Sequence, residues 1–244
     1  MLMNSSSDRI EVNADLQAAY DSYYEDGTSE WRALGAKYKA DNIINMTVGI
    51  PHNTVLDIGA GEGAVSAMLL QREFCPEVSC LEISDTGVKA IENRNLSRVV
   101  DVRKFDGYSI PYRNKTFDLA IASHVLEHVE HERVFLYEAK RVAKYVFIEV
   151  PLEDTFRMPK NYKANKEGHV NFYNFRTIRH LLQSSGFEVL DQRLLPHSLE
   201  VHKYSQGRLK GPMHWGVRAV CDKIHRGLTA RMFTYHCGIL CRSN

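Results

Sequence analysis

Four side chains that can exchange protons or bind metal ions stand near the middle of the sequence. His124, Glu127 and His128 are spaced i, i+3 and i+4, which on a helical turn places them on one face. His169 follows a polar stretch, in the segment EGHVNFYNF. Because imidazoles titrate near neutral pH and act as general bases, His128 and His169 are the candidate catalytic residues.

The same four residues are candidate metal ligands. Carboxylate and imidazole groups at this spacing, joined by a distant histidine, can hold a divalent ion through His124, Glu127, His128 and His169. The alternative is an ordinary turn in which His128 is hydrogen-bonded internally. The sequence favours this second interpretation, a site without a metal.

A glycine-rich turn provides the second group of candidate residues. The run TVLDIGAGEG, residues 54–63, opens with apolar and β-branched residues, which predicts a buried parallel strand. It then breaks into Gly59, Gly61 and Gly63, where the backbone can take positive φ and approach a ligand closely. A helix is predicted to begin at the apolar pattern after Ala64. This arrangement favours a nucleotide-like ligand against the turn.

Two classes of adenosine ligand fit this turn. Read as G-x-G-x-x-A, it meets the dinucleotide fingerprint, and Glu82 ends the next predicted strand, where an acid binds a ribose. Asp57 favours S-adenosylmethionine over NAD, because a carboxylate ahead of the glycines repels a pyrophosphate and attracts an ammonium group. Asp106 and Gly107 follow the third predicted strand, where the carboxylate can accept an adenine amino group.

Apolar periodicity places these residues in an α/β fold. Strands alternate with helices from Thr54 onward, which predicts a doubly wound parallel sheet with right-handed crossovers. The predicted elements are strand 54–58, helix 63–73, strand 78–83, helix 85–95, strands 98–105 and 117–122, helix 129–142, strand 144–150, helix 175–185 and strand 187–195. Helices around 12–23 and 31–38 precede them, a long polar loop covers 152–170, and a helical stripe over 213–228 and a strand at 231–241 follow.

The ordered set of motifs resembles the class I S-adenosylmethionine-dependent methyltransferases. It comprises DIGAGEG at 57–63, Glu82, Asp106 with Ile110-Pro111-Tyr112, FDLA at 117–120 and LEHV at 126–129. The resemblance implies a Rossmann-like, seven-stranded, mostly parallel sheet with helices on both faces and an antiparallel last strand between the fifth and sixth. We expect one domain over 1–244, with a helical cap (1–50), a cofactor-binding core (54–195) and a C-terminal helix and strand (196–244).

The resemblance also implies roles for individual residues. S-adenosylmethionine is the implied cofactor, with S-adenosylhomocysteine as its product. In the family pattern Glu82 bonds the ribose hydroxyls, Asp106 contacts the adenine, and Ser123 and His124 close the pocket. The implied cofactor-binding residues are Asp57, Gly59, Ala60, Gly61, Gly63, Glu82, Ile83, Asp106, Gly107, Ser123 and His124. The histidine group is similar to the E-x-x-E-H motif of small-RNA 2′-O-methyltransferases, but His124 replaces the first Glu, which lowers the affinity expected for Mg²⁺.

Net charge and its distribution limit the classes of binding partner. The net charge of the 244 residues is +1, which argues against a general polyanion binder, so we expect no nucleic-acid partner. Eight Lys or Arg and one acidic residue give residues 201–244 a charge of +7, which leaves −6 for residues 1–200. These basic residues, with Arg157, Lys160 and Lys163, form either a rim for an anionic acceptor or a solvated surface.

The remaining features concern location and activity. Five cysteines without C-x-x-C spacing are typical of reduced thiols, and neither a signal peptide nor an apolar run near 18 residues is seen, so we expect a cytoplasmic enzyme without a membrane partner. The expected activity is methyl transfer to a small-molecule acceptor, at oxygen before nitrogen or carbon. Metal-assisted RNA 2′-O-methylation, a non-catalytic S-adenosylmethionine-binding module and an NAD-dependent oxidoreductase are the alternatives.

Overall fold

A seven-stranded sheet in the order β3-β2-β1-β4-β5-β7-β6 forms the centre of the computed structural model, which describes residues 29–158 and 168–244. The strands are β1 Thr54–Ile58, β2 Glu77–Glu82, β3 Val99–Lys104, β4 Phe117–Ser123, β5 Ala143–Leu152, β6 Phe187–Leu195 and β7 Tyr235–Ser243. The helices are α1 Ser29–Met46, α2 Ala64–Gln71, α3 Asp85–Asn93, α4 Glu132–Val142, α5 Phe175–Ser184 and α6 Leu199–Met232. A 3₁₀ turn, Leu126–His128, precedes α4.

The strand directions agree with the predicted doubly wound, Rossmann-like sheet. Strands β1 to β5 pair in parallel, whereas β7 runs antiparallel between β5 and β6. The carboxyl ends of β1, β2, β4 and β5 therefore share one edge of the sheet. Because β7 is antiparallel, its first residues reach this same edge, where His236 is the register partner of Pro151.

Helices cover both faces of the sheet, as predicted. Val55 and Leu119 pack on the face covered by α1, α2 and α3, whereas Leu56 and Ala120 face the side covered by α4 and α5. This alternation follows from the two-residue period of a strand, so a strand buried on both faces reads as a continuous apolar run.

Several boundaries differ from the predicted ones. The predicted helix at 129 begins at Glu132, because the chain first makes the 3₁₀ turn. Strand β5 continues to Leu152, where β7 still supplies Tyr235 as a pairing partner. The last strand begins at Tyr235 rather than 231, since α6 continues to Met232. The predicted helix at 12–23, and Lys160 and Lys163 of the polar loop, lie outside the described residues.

Helix α6 contains the predicted stripe over 213–228, but most of that stripe does not face the core. Met213, Val220 and Ile224 are 59%, 59% and 79% exposed. The helix is interrupted at Gly207 and His225, whose backbone angles are non-helical. Neither α6 nor another helix of the described ranges has both the length and the apolar character to cross a membrane.

Candidate functional site

The glycine turn after β1 has the predicted left-handed backbone. Gly59, Gly61 and Gly63 have φ values of 72°, 60° and 75°. These angles are unfavourable for residues with a Cβ. At Gly59 packing adds a second restriction, since a Cβ would lie 2.6 Å from Val125 Cγ2. The turn therefore brings bare backbone to the carboxyl edge of the sheet.

The turn is attached to the end of β2. The amides of Gly59 and Ala60 both donate to the Leu81 carbonyl, at 2.8 and 2.9 Å. The Gly61 amide donates to Glu82 Oε2 at 2.8 Å. Turn and carboxylate thus hold each other in place beside the edge where a ligand would bind.

Glu82 is buried, with 3% of its surface exposed. Its Oε1 accepts from the Ser84 amide at 3.1 Å and from the Ser84 hydroxyl at 3.0 Å. Each carboxylate oxygen has two lone pairs, so three of the four acceptor positions are used and one on Oε2 remains for a ribose hydroxyl. Ile83, which follows it, is partly buried against the apolar core.

Asp57 lies inside the sheet, 3% exposed. The Ser66 hydroxyl donates to Asp57 Oδ2 at 2.6 Å. Burial raises the pKa of Asp57 to about 6, against the lowering effects of this hydrogen bond and of the Lys39 ammonium. The carboxyl thus ionises less readily than an ordinary aspartate but is mostly charged at neutral pH, where it can pair with a cationic group. Sequence reasoning missed Ser66 and Lys39, since both come from other elements.

Asp106 is held in a tight loop after β3. Its Oδ1 accepts from the amides of Tyr108 and Ser109, at 2.9 and 2.6 Å, and Gly107, the next residue after Asp106, has a φ of 86°. Burial raises the pKa of Asp106, but these amides outweigh it and the net shift is downward. Oδ2 retains capacity to accept an adenine amino group.

Ser123 and His124 end β4 at the same edge. The Ser123 hydroxyl is buried and has no hydrogen-bond partner within the described ranges, a condition that normally requires a ligand or water. His124 has a φ of 59°, and its amide donates to the Glu149 carbonyl at 2.8 Å. The unpartnered hydroxyl, the three carboxylates of Asp57, Glu82 and Asp106, and the half-buried turn backbone together fit an adenosine ligand with an ammonium group.

His124, Glu127 and His128 were expected on one face of a helical turn, but the 3₁₀ turn covers only Leu126–His128, so His124 lies outside it. His124 precedes the 3₁₀ turn and has a left-handed backbone, although its Nδ1 still lies 3.2 Å from Glu127 Oε1. Glu127, His128 and His169 do come together, with potential ligand atoms within 4.8 Å of one another. The ring centroids of His128 and His169 lie 4.7 Å apart.

The hydrogen-bond partners of His128 and His169 indicate which ring nitrogen of each carries a proton. His128 Nδ1 lies 3.3 Å from the Gly168 carbonyl, which can only accept, so Nδ1 carries the proton. Burial lowers the pKa of His128 and keeps it neutral at pH 7, so its Nε2 can accept a proton. His169 Nδ1 lies 2.6 Å from Glu153 Oε2, a carboxylate that orients the ring and stabilises its charged form.

A second cluster, absent from the sequence predictions, joins His124 to Glu149 and His236. His124 Nε2 lies 3.3 Å from Glu149 Oε1 and 3.2 Å from His236 Nδ1, and the last two atoms are 3.1 Å apart. Burial and Lys39 lower the pKa of His124, but Glu127 and Glu149 outweigh them and raise it. The available sequence signal was one acidic residue in the apolar strand AKYVFIEVPL.

A cavity of about 740 Å³ lies beside this second cluster, between α6 and the segment after β5. His197 lines it and places Nε2 2.9 Å from His236 Nε2. Arg218 also lines it, donating to the Thr234 carbonyl, and Glu153 lines it while pairing with His169. Each histidine cluster thus contacts one lining residue of this cavity, His169 through Glu153 and His236 through His197.

Helix α1 contributes to the edge rather than only covering the sheet. Asn42 Nδ2 donates to Glu149 Oε2 at 3.1 Å. Burial lowers the pKa of Lys39, although Glu149, Glu127 and Asp57 attract its charge. On the outer side of α1, Trp31 stacks on Tyr204 of α6 with ring centroids 5.3 Å apart.

Comparison with known proteins gives one family and several related folds. Residues 30–192 match the family model of a methyltransferase domain. The uncharacterized protein MJ1123 of Methanocaldococcus jannaschii is 25% identical over 177 residues, which are 69% of this chain and 80% of that protein.

Two solved structures have a similar fold. One is a putative sarcosine dimethylglycine methyltransferase from Galdieria sulphuraria, with a TM-score of 0.62, 19% identity and 86% coverage of both chains. The other is a phosphoethanolamine N-methyltransferase 2 from Haemonchus contortus in complex with phosphomonomethylethanolamine and S-adenosylhomocysteine. It has a TM-score of 0.59 and 14% identity, covering 83% of this chain and 52% of that chain.

Proposed function

The chain belongs to the class I S-adenosylmethionine-dependent methyltransferases, and on that premise we propose that it methylates an oxygen of a small-molecule acceptor bound in the cavity beside α6. S-adenosylmethionine is the cofactor, and when bound it supplies an electrophilic methyl group. The observation that supports the acceptor site is the position of the cavity, since residues from both histidine clusters line it or contact its lining. Its volume suits a metabolite-sized ligand.

We assign the cofactor to the glycine turn and the acidic residues beside it. Asp57 would hold the ammonium group, Glu82 a ribose hydroxyl and Asp106 the adenine. The backbone of the turn and the Ser123 hydroxyl would complete the pocket. These residues are held by the bonds of Ser66, Gly61 and the amides after Asp106, so they bind without a large rearrangement.

Positive charge in the cavity favours an acceptor that carries a carboxylate or phosphate. The Arg218 guanidinium lies 4.7 Å from the centre of the Tyr235 ring and is held there by the Thr234 carbonyl. Arg157 also lines the cavity. A fixed guanidinium binds planar anions in a defined orientation. The phosphorylated ligand of the Haemonchus protein is therefore a sensible member of an acceptor panel.

His169 is the proposed proton acceptor for a hydroxyl, with Glu153 as its positioning residue. Their 2.6 Å contact fixes the ring and stabilises the imidazolium that forms when the proton arrives. His128, kept neutral by burial, lies next to His169 and can receive a proton in its place. Reduced thiols at all five cysteines agree with a proposed cytoplasmic location.

The test is an acceptor panel with S-adenosylmethionine, read as S-adenosylhomocysteine formed and as methylated product by mass spectrometry. Matched compounds should carry a hydroxyl, an amine or a thiol, each with and without a carboxylate. We expect hydroxy acids to react, with Arg218→Gln raising KM for the acids and not for the neutral compounds. Lys223 is an exposed cation on the same helix, so Lys223→Gln is the control. It should change KM neither for the acids nor for the neutral compounds.

The panel also separates the alternatives. Methyl transfer only to RNA would rule out a small-molecule acceptor and favour metal-assisted RNA 2′-O-methylation. Tight binding of S-adenosylhomocysteine with no transfer to any compound or RNA would favour a binding module without catalysis. His169→Asn with unchanged kcat on a good acceptor would exclude His169 as the base.

A further inference from the structure

We propose that His124, Glu149 and His236 bind a divalent transition-metal ion through Nε2, Oε1 and Nδ1. This set shares only His124 with the four residues that the sequence groups as metal ligands. It joins the carboxyl ends of β4 and β5 to the first residues of β7. Binding of the ion is independent of the proposed function, whereas its part in catalysis rests on that function.

The three atoms form a nearly equilateral triangle. Its edges are 3.3 Å from His124 to Glu149, 3.2 Å from His124 to His236, and 3.1 Å from His236 to Glu149. An ion bound at about 2.1 Å separates adjacent ligand atoms by about 3.0 Å in octahedral and about 3.4 Å in tetrahedral geometry. All three edges lie within this interval, so the ligands need little movement to bind.

Hydrogen bonds alone do not satisfy this triangle. If both nitrogens carry protons and donate to Glu149 Oε1, two N–H groups face each other across the 3.2 Å edge between His124 and His236. If either nitrogen lacks its proton, a lone pair faces the lone pairs of the carboxylate. A cation bound to all three atoms removes both conflicts, because each atom then directs a lone pair at positive charge.

The atoms of Glu149 and His236 that would not bind the ion are already held. Asn42 Nδ2 donates to Glu149 Oε2 at 3.1 Å, which fixes the carboxylate plane. His236 Nε2 lies 2.9 Å from His197 Nε2. At this distance the two nitrogens share one hydrogen bond, and with His236 bound to the ion through Nδ1 its Nε2–H would donate to His197 Nε2. Such outer contacts fix the tautomer of a metal-binding histidine.

Glu127 provides the corresponding contact for His124. It is fully buried, and within the described ranges neither of its carboxylate oxygens has a well-directed hydrogen bond. His124 Nδ1 lies 3.2 Å from Glu127 Oε1. When a neutral histidine binds a metal through Nε2, its proton is on Nδ1, and here that N–H would face Glu127. Metal binding at Nε2 would thus keep a proton on Nδ1, where it faces this buried carboxylate.

Two imidazoles and one carboxylate favour zinc, iron, cobalt or manganese over magnesium. Three protein ligands leave positions open for a ligand of the ion, as catalytic rather than structural sites do. An acceptor hydroxyl bound there would have a lowered pKa, so the proposed base His169 would take its proton more readily. Lys39 makes no hydrogen bond to the triangle among the described residues, so its charge opposes the ion only through space.

The experiment uses the full chain after removal of metal by a chelator. Cobalt(II) is titrated in and followed by its visible absorption, and zinc or magnesium is then added in competition. We expect one equivalent of cobalt to bind, with zinc and not magnesium displacing it. Glu149→Gln and His236→Asn should each weaken cobalt binding at least about tenfold. His180→Asn, which removes an exposed histidine on α5, should leave it unchanged.

Three results would overturn the proposal. The first is that cobalt does not bind stoichiometrically. The second is that neither Glu149→Gln nor His236→Asn changes cobalt binding. The third is that cobalt binding is lost instead in His169→Asn, which would assign the ion to the other cluster. If both variants unfold, X-ray absorption of the cobalt-loaded natural protein decides, since two imidazoles and one carboxylate are expected. Titration of S-adenosylhomocysteine into metal-free protein tests the proposed function separately, because cofactor binding does not require the ion.

Discussion

The Ser66 hydroxyl donates to Asp57 Oδ2 at 2.6 Å within the buried part of the sheet. This bond lowers the cost of a charge at Asp57 but does not remove it, so burial still holds the pKa near 6. The carboxyl is thus half ionised under mildly acidic conditions, and any ligand that favours the charged form must bind more tightly as the pH rises.

We therefore predict that S-adenosylhomocysteine binds about tenfold more weakly at pH 5 than at pH 8, because its ammonium group requires ionised Asp57. Calorimetric titration across this range measures the effect. Adenosine, which lacks the ammonium group, is the control and should show no such rise. An equal rise for adenosine, or for the Asp57→Asn variant, would assign the pH dependence to another group.

The Asp57→Asn substitution should stabilise the ligand-free protein. The folded pKa of Asp57, about 6, exceeds the ordinary value, so its contribution to stability is largest below pH 4 and is lost as pH rises through 6. Asp57→Asn should raise the free energy of unfolding at pH 7.5 by about 1 to 3 kcal/mol. At pH 4 it should change little. Urea unfolding at both pH values tests this, and equal gains at both would contradict it.

Gly59→Ala should destabilise the chain by about 1 to 3 kcal/mol, because φ is 72° and the new Cβ would meet Val125 Cγ2 at 2.6 Å. Val125→Ala removes the contact but not the backbone strain. In the double variant we expect part of the loss to be recovered, so Val125→Ala should cost less in the Gly59→Ala background than in the natural protein. Strictly additive losses in urea unfolding would show that the contact does not matter.

Glu82→Ala should weaken S-adenosylhomocysteine binding by about 1 to 3 kcal/mol and also lower stability, since it leaves the amides of Gly61 and Ser84 without their acceptor. Binding is measured well below the unfolding temperature, so that the two effects are separated. Glu92→Ala, at an exposed position of α3, is the matched control. Unchanged affinity in the Glu82 variant would remove this residue from the cofactor site.

Residues with local signals were predictable from the sequence. Gly59, Gly61 and Gly63 were found because positive φ is a property of the backbone itself, and the structure has it at all three. Glu82 and Asp106 follow from their places after parallel strands. The roles of these residues stay predictions, whereas their arrangement at one edge follows directly from the sheet.

Residues with distant partners were not predictable in the same way. Glu149 and His236 are far apart in the chain and meet because β7 pairs antiparallel with β5, with Glu149 opposite Gly238. His124 was grouped with Glu127 and His128 by spacing alone, but it precedes the 3₁₀ turn in a left-handed conformation and its Nε2 contacts Glu149 and His236. Residue spacing predicts a shared face only within a regular helix. Here the regular helix, α4, begins only at Glu132, after these residues.

The position of β7 has a consequence for the order of folding. This strand follows β6 and α6 in the chain, yet it lies between β5 and β6. During synthesis, β5 therefore presents an unpaired edge until β7 emerges, and β6 has no neighbour in the sheet. His236 reaches Glu149 only at that last step. A ribosome-bound chain can thus form its glycine turn early, but it remains exposed to aberrant strand pairing until the sheet closes and the histidine cluster is complete.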